Sequence, residues 1–334
     1  MKRLSYFLFL FLILSFCVGC SRQQTTDIEK DVLVFMAGYK PQASLPFVGV
    51  YVAEQMGFYD EENLEVKILH TAGSGEHLQL LAAGKVDVTT QDAAILLQRR
   101  SEPGLPLVSI ALIGQKGQQA YVALQESGIE SPEQWAGHSI GYRGTPPPDL
   151  FAMLHSFNLD EDVVKLINVG FDLRIFTEKK VDIYPVFKSN EPFMLDSWGF
   201  NYHLWDSADY GIPSMGLCFV TSDTILDTKL NELTRFLRAT IKGIYFAQEN
   251  SEVALESVMR YSGPETDIEL MRFMLESEIL DSVSNISKQY GLGWQTYDQW
   301  KKLADLLVDY DIMKPVDISS VFTTKVLKDA QGMH

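Results

Sequence analysis

The sequence predicts an α/β protein of two lobes, with the second lobe inserted in the first. Short runs rich in β-branched and aromatic residues alternate with segments of helical apolar spacing, and the connections between them are short. This alternation is typical of α/β layers around mostly parallel sheets. The length of 334 residues suggests about two domains, and the alternation of strand and helix segments begins again near residues 120–121. We therefore expect residues 31–118 and 213–334 to form the first lobe and residues 119–212 the second.

The expected elements of the first lobe follow from the hydrophobic period and from helix start and stop signals. Ser74 is a plausible helix N-cap, and Gly84 is typical of the residue after a helix end. The strands are expected at residues 32–35, 64–69, 86–90 and 106–113, and the helices at residues 47–56, 75–83 and 92–99.

The second lobe is expected to repeat the pattern before the chain returns to the first. After Gly211-Ile212-Pro213, an apolar run at residues 216–220 is followed by a long helical tail. In the second lobe the strands are expected at residues 120–124, 166–169 and 181–186 and a helix at residues 149–157. The tail helices are expected at residues 228–248, 264–280 and 294–308.

Composition and charge exclude several classes of protein. A hydrophobic content of 46% and a charged content of 22% are typical of a globular chain rather than a disordered one. The formal net charge is −16, and no lysine or arginine cluster exceeds two adjacent residues. Because nucleic-acid binding needs a basic surface, we exclude it.

The N-terminus has the pattern of a bacterial export signal. Lys2-Arg3 precedes the apolar residues 4–16, a run shorter than the roughly 20 residues that span a bilayer. The "CVGC" that ends at Cys20 resembles a lipobox, which implies a signal peptide at residues 1–19 and lipid on Cys20. A polar tether would follow at residues 20–30, and the exported protein would be anchored to the membrane. A plain secreted protein and an N-terminal anchor helix are the alternatives.

The remaining cysteine and the other motifs indicate no catalytic or metal site. Cys218 lies in the apolar run "GLCFV" and is expected to be a buried small hydrophobe. The sequence has no Cys/His metal spacing, no HExxH and no GxSxG. We therefore expect no catalytic residue, no metal ligand and no cofactor.

Four stretches carry a resemblance to one family. They occur in the family's order and spacing: "VYVAEQMGFYDEENLEVKIL", "LLAAGKVDVTTQDAAIL", "ESPEQWAGHSIGYRG" and "KKVDIYPVFKSNEP". The resemblance covers roughly residues 31–325, almost all of the chain after the tether. They resemble the THI5/NMT1-type periplasmic substrate-binding proteins, whose members bind thiamine pyrimidine precursors, riboflavin, sulfonates or nitrate. The resemblance implies a type II periplasmic binding protein fold, with two lobes that close on a ligand at a hinge. It also implies a monomer that delivers this ligand to an ABC permease and its ATPase.

Pyrimidine synthases of the same fold supply an alternative from another class. Their motif has a cofactor-holding lysine and a consumed histidine, and the matching positions here are Gln91 and Ile95. Gln91 forms no Schiff base and Ile95 has no ring nitrogen. Their phosphate loop matches "GYRGTPPPDL", in which residues 146–148 are prolines without an N–H to donate. We therefore expect a binding protein rather than an enzyme, with Gly144 and Thr145 in the wall of its cleft.

In the first lobe, the candidate ligand contacts follow the predicted strands, because open α/β sheets bind ligands at the carboxyl ends of their strands. Tyr39 and Phe47 are expected to stack on a flat ring, and Lys40 or Gln42 to bind its edge; an ordinary solvated turn is the alternative for Lys40-Pro41. The starts of two predicted helices add a further set. Asp92 is equally well explained as an N-cap, and the neighbouring His77 is better explained as structural and is left out. This set is Ser74, Gly75, Glu76 and Asp92.

In the second lobe, the candidates come mainly from the resemblance. "YPVFKSNEP" is similar to a stretch that supplies a glutamate to the amino group of a pyrimidine, which implies this role for Glu191 beside Asn190, with Tyr184 as an aromatic wall. Asp209 and Tyr210 precede the return to the first lobe and are expected at the cleft rim. Trp198 and Trp205 are expected in the core, where large aromatic residues usually lie.

These observations predict a lipid-anchored binding protein for a neutral flat nitrogen heterocycle. Riboflavin and a thiamine pyrimidine precursor are the leading ligands, and the motifs are closer to the riboflavin-binding branch. A binding protein for a sulfonate or nitrate is the alternative. Such anions are usually held by arginine clamps, and Arg143 alone is weak evidence for one.

Overall fold

The computed structural model describes residues 29–73 and 75–332. The predicted signal peptide, the predicted lipidation site Cys20, most of the predicted tether and Ser74 lie outside these residues. Asp31–His334 form one unit, which contains two five-stranded sheets. No helix in the described part of the chain is both long enough and apolar enough to span a membrane.

The sheet of the first lobe has the order β2-β1-β3-β10-β4. Strands β1 and β2 pair in parallel from Asp31 with Leu64 to Ala37 with His70, and β3 is parallel to β1 on its other side. The bounds are β1 Asp31–Ala37, β2 Leu64–His70, β3 Val88–Asp92, β4 Leu107–Leu112 and β10 Leu217–Ser222.

The sheet of the second lobe has the order β7-β6-β8-β5-β9, with β6 parallel to β7 and β8. The chain enters it after β4 and leaves it before β10, so it crosses between the sheets twice. The lobe boundaries expected after residues 118 and 212 remain predictions. The bounds are β5 Gln119–Leu124, β6 Ser139–Tyr142, β7 Lys165–Asn168, β8 Ile183–Phe187 and β9 Tyr202–Asp206.

The sheets are mixed rather than mostly parallel, which corrects the prediction. Strand β10 is antiparallel to both β3 and β4, and β5 is antiparallel to both β8 and β9. The reason is the double crossing. A strand that arrives from the other lobe starts at the edge where β3 and β8 end, so it has to run the opposite way. Leu217 accordingly pairs with Asp92, and Gln119 with Phe187.

The helices cover both sheets and form the C-terminal part of the chain. The helix predicted to begin at residue 264 begins at Ile268 instead, because Asp267 caps it through the N–H groups of Glu269 and Leu270. The helices are α1 Leu45–Gln55, α2 Phe58–Glu61, α3 Glu76–Ala82, α4 Ala93–Ser101, α5 Pro148–Ser156, α6 Arg174–Thr177, α7 Glu191–Ser197, α8 Asp223–Thr228, α9 Leu230–Glu249, α10 Ser251–Ser262, α11 Ile268–Asp281, α12 Asn285–Tyr290, α13 Tyr297–Asp309 and α14 Lys325–Gln331.

The hydrophobic core divides along the two sheets. One cluster of buried residues surrounds the first sheet and includes residues of α10, α11 and α13, so these helices pack with the first lobe. Two smaller clusters cover the two faces of the second sheet. Cys218 is fully buried, as predicted. Trp205 is also buried, whereas Trp198 is about half exposed, so its predicted place in the core is wrong.

Candidate functional site

A cavity of about 950 Å³ lies between residues that follow strands of the two sheets. Its first-lobe side comes from the residues after β1, the end of β3, the start of β10 and helices α10 and α11. Its second-lobe side comes from the residues after β7 and β8. The lining residues are Tyr39, Lys40, Pro41, Gln42, Ser44, Asp92, Gln118, Phe171, Phe187, Ser189, Asn190, Glu191, Gly216, Leu217, Tyr261, Ser262, Glu265, Thr266, Asp267, Leu270, Met271, Met274 and Glu278.

Strand direction explains why these segments meet. Strands β1 and β3 are parallel and end at one edge of the first sheet, and β6, β7 and β8 are parallel and end at one edge of the second. Open α/β sheets place ligands beyond the carboxyl ends of their strands. The cavity therefore has the position that this rule gives to a ligand site.

Aromatic side chains supply flat faces on both sides of the cavity. Phe171 and Phe187 project from the second lobe, with 75% and 40% of their surface exposed. On the first lobe, Tyr39 is 41% exposed. Tyr261 of α10 is held in place by Tyr51, with the ring centroids 4.2 Å apart and the planes 19° from parallel. A planar ring bound here meets aromatic faces from either lobe.

Arg143 lies in the loop "GYRGTPPPDL", whose three prolines lack the backbone N–H groups that would bind a phosphate. Its Nη2 donates to Glu191 Oε1 at 2.5 Å and to the Pro185 carbonyl at 2.9 Å, and its Nε donates to the Gly170 carbonyl at 3.1 Å. The guanidinium also lies 4.8 Å from the ring centroid of Phe171. Arg143 is thereby committed to partners within the second lobe and orders the aromatic wall.

Glu191, at the first turn of α7, is buried and already has partners for both oxygens. Oε1 accepts from Arg143, and Oε2 accepts from the Phe187 N–H at 2.8 Å. The predicted pair of Asn190 and Glu191 does line the cavity. The carboxylate has room for about four hydrogen bonds, so two positions remain beside the pair with Arg143.

Two further carboxyl groups at the cavity belong to the first lobe. Asp92 Oδ1 accepts from the N–H groups of Ala94 and Ile95, so this residue both caps α4 and lines the cavity. Burial raises the pKa of Asp92 to about 6 and that of Glu278 to about 7. Both groups are therefore protonated more readily than a solvated carboxyl.

An ion-pair group joins the lobes beside the cavity. Lys188, which follows β8, donates to Asp206 of the second lobe at 2.5 Å and to Asp281 at the end of α11 at 3.0 Å. Gln118 Nε2 donates to the second oxygen of Asp281 at 2.8 Å. The lobes are thus linked by charged hydrogen bonds close to the two chain crossings.

Six of the predicted site residues line this cavity, and the others in the described chain do not. The six are Tyr39, Lys40, Gln42, Asp92, Asn190 and Glu191. Those that do not line it are Phe47, Gly75, Glu76, Gly144, Thr145, Tyr184, Asp209 and Tyr210.

Burial and local partners explain why these residues do not line the cavity. Phe47 is buried in α1 and Tyr184 beneath the guanidinium of Arg143, whose carbon lies 5.4 Å from the ring centroid of Tyr184. Glu76 accepts from the Thr71 hydroxyl at 2.6 Å. Asp209 pairs with Lys116 at 2.7 Å, and Tyr210 packs on Phe157. Gly75 and Gly144 are turn residues with positive φ, and Thr145 follows the second of them.

Sequence reasoning missed Phe171, Phe187, Tyr261 and Glu278. Phe171 follows β7 and Phe187 ends β8, so the carboxyl-end rule that identified Tyr39 also points to both. Tyr261 and Glu278 lie on helices whose apolar spacing resembles that of any core helix. No local signal marks them.

The positions of the synthase motif have structural roles here. Gln91 Oε1 is 2.8 Å from His77 Nε2, and Ile95 packs partly buried against the first core. Within residues 29–73 and 75–332 no group of three or more His, Cys, Asp or Glu side chains is placed to hold a metal ion.

Comparison with known proteins gives relatives over most of the chain. The formylaminopyrimidine-binding protein of Halalkalibacterium halodurans is 25% identical over 94% of this chain and 97% of its own. The riboflavin-binding protein RibY of Chloroflexus aurantiacus is 24% identical over 84% and 82%. The 4-amino-5-hydroxymethyl-2-methylpyrimidine phosphate synthase of Legionella pneumophila is 26% identical over 62% and 67%.

Solved structures and a family model agree on the fold. The periplasmic aliphatic sulphonate-binding protein SsuA of Escherichia coli superposes with a TM-score of 0.67 at 13% identity, covering 87% of this chain and 91% of its own. This likeness confirms the predicted periplasmic binding protein fold with two α/β lobes. The model of the NMT1/THI5-like family matches residues 45–254, more than half of the chain. The protein belongs to the NMT1/THI5-like family.

Proposed function

We propose that this chain is an extracytoplasmic substrate-binding protein. It captures a flat nitrogen heterocycle with N–H donors and delivers it to an ABC permease and its ATPase. The observation that carries the proposal is the cavity between the lobes, which combines aromatic faces with an excess of carboxyl groups. Stacking would hold the ring, and the carboxyl groups would accept from its edge.

The charges at the cavity favour a donor-rich ligand over an anion. Five lining residues are acidic, and Lys40 is the one basic residue among the described lining residues. No arginine lines the cavity among the described residues, and Arg143, which contacts the lining residue Phe171, is already paired with Glu191. An anion would meet more negative than positive side chains and no available arginine fork, which speaks against sulfonate and nitrate.

Two ligand types fit this chemistry, and relatives support both. The relative that binds formylaminopyrimidine supports a pyrimidine, whose amino group donates to a carboxyl. RibY supports riboflavin, whose ring N–H donates in the same way, and the sequence motifs favour that branch. A cavity of about 950 Å³ lies near the upper end of the roughly 300–1,000 Å³ usual for ligand sites.

The synthase alternative is the weaker proposal. A synthase relative matches part of the chain, but Gln91 supplies no amine for a Schiff base and its side chain is held by His77. We propose a binding protein that performs no chemistry on its ligand.

A ligand screen tests the function. Purified protein is expected to melt at a higher temperature with 4-amino-5-hydroxymethyl-2-methylpyrimidine or riboflavin and at an unchanged temperature with taurine or nitrate, because a ligand bound only to the folded state stabilises it. Phe171→Ala is expected to weaken binding of the active heterocycle by about tenfold, because a stacked aromatic pair is worth about 0.5–1.5 kcal/mol beyond its buried area.

Tyr297→Ala is the matched control, since Tyr297 is an exposed aromatic residue outside the cavity lining. A shift with taurine or nitrate and with neither heterocycle would disprove the ligand class. Equal affinities of Phe171→Ala and the wild type would remove Phe171 from the site.

A further inference from the structure

One wall of the cavity comes from residues of helices α10 and α11 that lie beyond the family match. Helix α10 supplies Tyr261, and α11 supplies Leu270, Met271, Met274 and Glu278. All of these follow residue 254, where the match to the family model ends. The family match therefore does not indicate which ligand group this wall contacts, and its own side chains are the evidence.

Glu278 is the carboxyl group of this wall that lies deepest. It is 8% exposed, and its Oε2 accepts from the Leu45 N–H at 2.6 Å. It also lines a small recess of about 10 Å³, together with Gln118 and Asp281. Both oxygens of Asp281 are occupied, by Lys188 and by Gln118 Nε2. The Ser44 side chain is a further hydrogen-bond partner of Glu278. The carboxyl group retains acceptor capacity beside these two bonds, because it accepts up to about four.

A second acceptor lies in the same recess. Gln118 Oε1 is buried and has no hydrogen-bond partner in the described chain. A buried oxygen without a partner costs free energy and calls for an explanation, and one explanation is a ligand. Two acceptors that line one recess suit an amino group, which has two hydrogens to donate.

We propose that Glu278 is a specificity-determining residue that accepts a hydrogen bond from the amino or ring N–H group of the ligand, with Gln118 as its neighbour. This inference rests on the proposed function. Burial makes the choice selective, because a ligand without the donor leaves the remaining acceptor positions of this buried carboxyl group unfilled. The pKa of Glu278, raised to about 7 by burial, agrees with a poorly solvated carboxyl.

The test uses ligand pairs that differ in one donor. The first pair is 4-amino-2,5-dimethylpyrimidine and 2,4,5-trimethylpyrimidine; the second is riboflavin and 3-methylriboflavin. By calorimetric titration, the wild type is expected to prefer the donor form of the bound pair by about 5- to 150-fold, the range for one unpaired buried group. Glu278→Gln keeps an oxygen for the Leu45 N–H and turns an NH₂ group toward the ligand. This variant is expected to lower the preference for the donor form at least tenfold, or to abolish it where the wild-type preference is below tenfold. Its affinity for the methyl form is expected to change little.

Glu276→Gln is the matched control, because Glu276 is exposed on the same helix and is not a lining residue. Should Glu278→Gln fail to fold by circular dichroism, Glu278→Asp withdraws the carboxyl by one methylene and is expected to lower the same preference. An unchanged preference in a folded, ligand-binding variant overturns the role of Glu278 alone. A wild type that binds no member of either pair overturns both this inference and the proposed function.

Discussion

At the residue scale, the pair of Arg143 and Glu191 makes the cavity a poor site for an anionic ligand. Arg143 is the residue that a sulfonate or nitrate site would need, but its three hydrogen bonds go to Glu191 and two carbonyl groups. Removing one member of such a buried pair would leave an uncompensated charge, so the arrangement is costly to rearrange for an anion. The guanidinium acts as a scaffold for the aromatic wall.

The buried carboxyl groups predict a pH dependence of stability. The pKa of Glu278 rises from 4.5 to about 7 on folding, chiefly by burial, with a smaller contribution from Asp281. The folded chain therefore binds more protons than the unfolded chain between these values, and the free energy of unfolding falls as the pH rises through them. The loss of stability that Glu278 causes is complete above about pH 7.

Urea unfolding of the ligand-free protein at pH 5 and pH 8 measures this effect. From pH 5 to pH 8 the wild type is expected to lose stability relative to Glu278→Gln, by on the order of 2–3 kcal/mol. Asp92 shifts in the same direction but is common to both proteins, so it cancels in the difference. Parallel pH profiles of the two proteins would contradict the prediction.

At the element scale, the close contact of α1 and α9 holds the first lobe together. A Cβ on Gly243 of α9 would lie 2.3 Å from the Gly49 carbonyl oxygen of α1 and 3.1 Å from the Ala53 nitrogen. The two helices approach backbone to backbone at this point. Their contact supports the N-terminal end of α1, where Ser44 and Leu45 meet the cavity and Glu278.

Gly243→Ala is therefore expected to destabilise the protein. Alanine normally favours a helix interior over glycine by about 0.5–1 kcal/mol. Here the added methyl group would push backbone atoms apart, at a cost of typically 1–3 kcal/mol. Urea unfolding should show a net loss, whereas Gln248→Ala, an exposed position of the same helix, should change stability by less than about 0.5 kcal/mol. A gain in stability for Gly243→Ala would refute the close contact.

At the scale of the whole molecule, the two lobes meet at their strand ends, where the ion-pair group of Lys188, Asp206 and Asp281 also lies. The ligand cavity and this group share helix α11, since Glu278 and Asp281 are one helical turn apart. The hydrogen bonds that join the lobes are thus adjacent to the α10–α11 wall, in which we propose that Glu278 binds the ligand.

A lipid anchor would keep the whole protein at the membrane that holds the proposed permease. The basic n-region, the apolar run at residues 4–16 and Cys20 support a lipid anchor. Cys20→Ala is expected to move the protein from the membrane fraction to the soluble fraction of exported protein, measured by fractionation and immunoblotting. Cys218→Ala is the control, because its thiol is buried. Tight membrane association of Cys20→Ala would indicate an uncleaved anchor helix.

The sequence by itself determined the features that depend on neighbouring residues. The alternation of strands and helices, the burial of Cys218 in an apolar run and the placement of Tyr39 after a strand all follow from local period and composition. The family resemblance added the fold, because its motifs retain their order along the chain.

Only the tertiary structure decided which aromatic and acidic side chains face the cavity. Phe47 and Tyr184 are buried, whereas Phe171 and Phe187 are exposed. The carboxyl-end rule points to Phe171 and Phe187, but tertiary packing sets how far each of the four rings is exposed. The orientation of β5 and β10 depends on the two chain crossings. Glu278 meets Leu45 across 233 residues of chain. A contact of this kind is set by the packing of remote segments, so no local pattern records it.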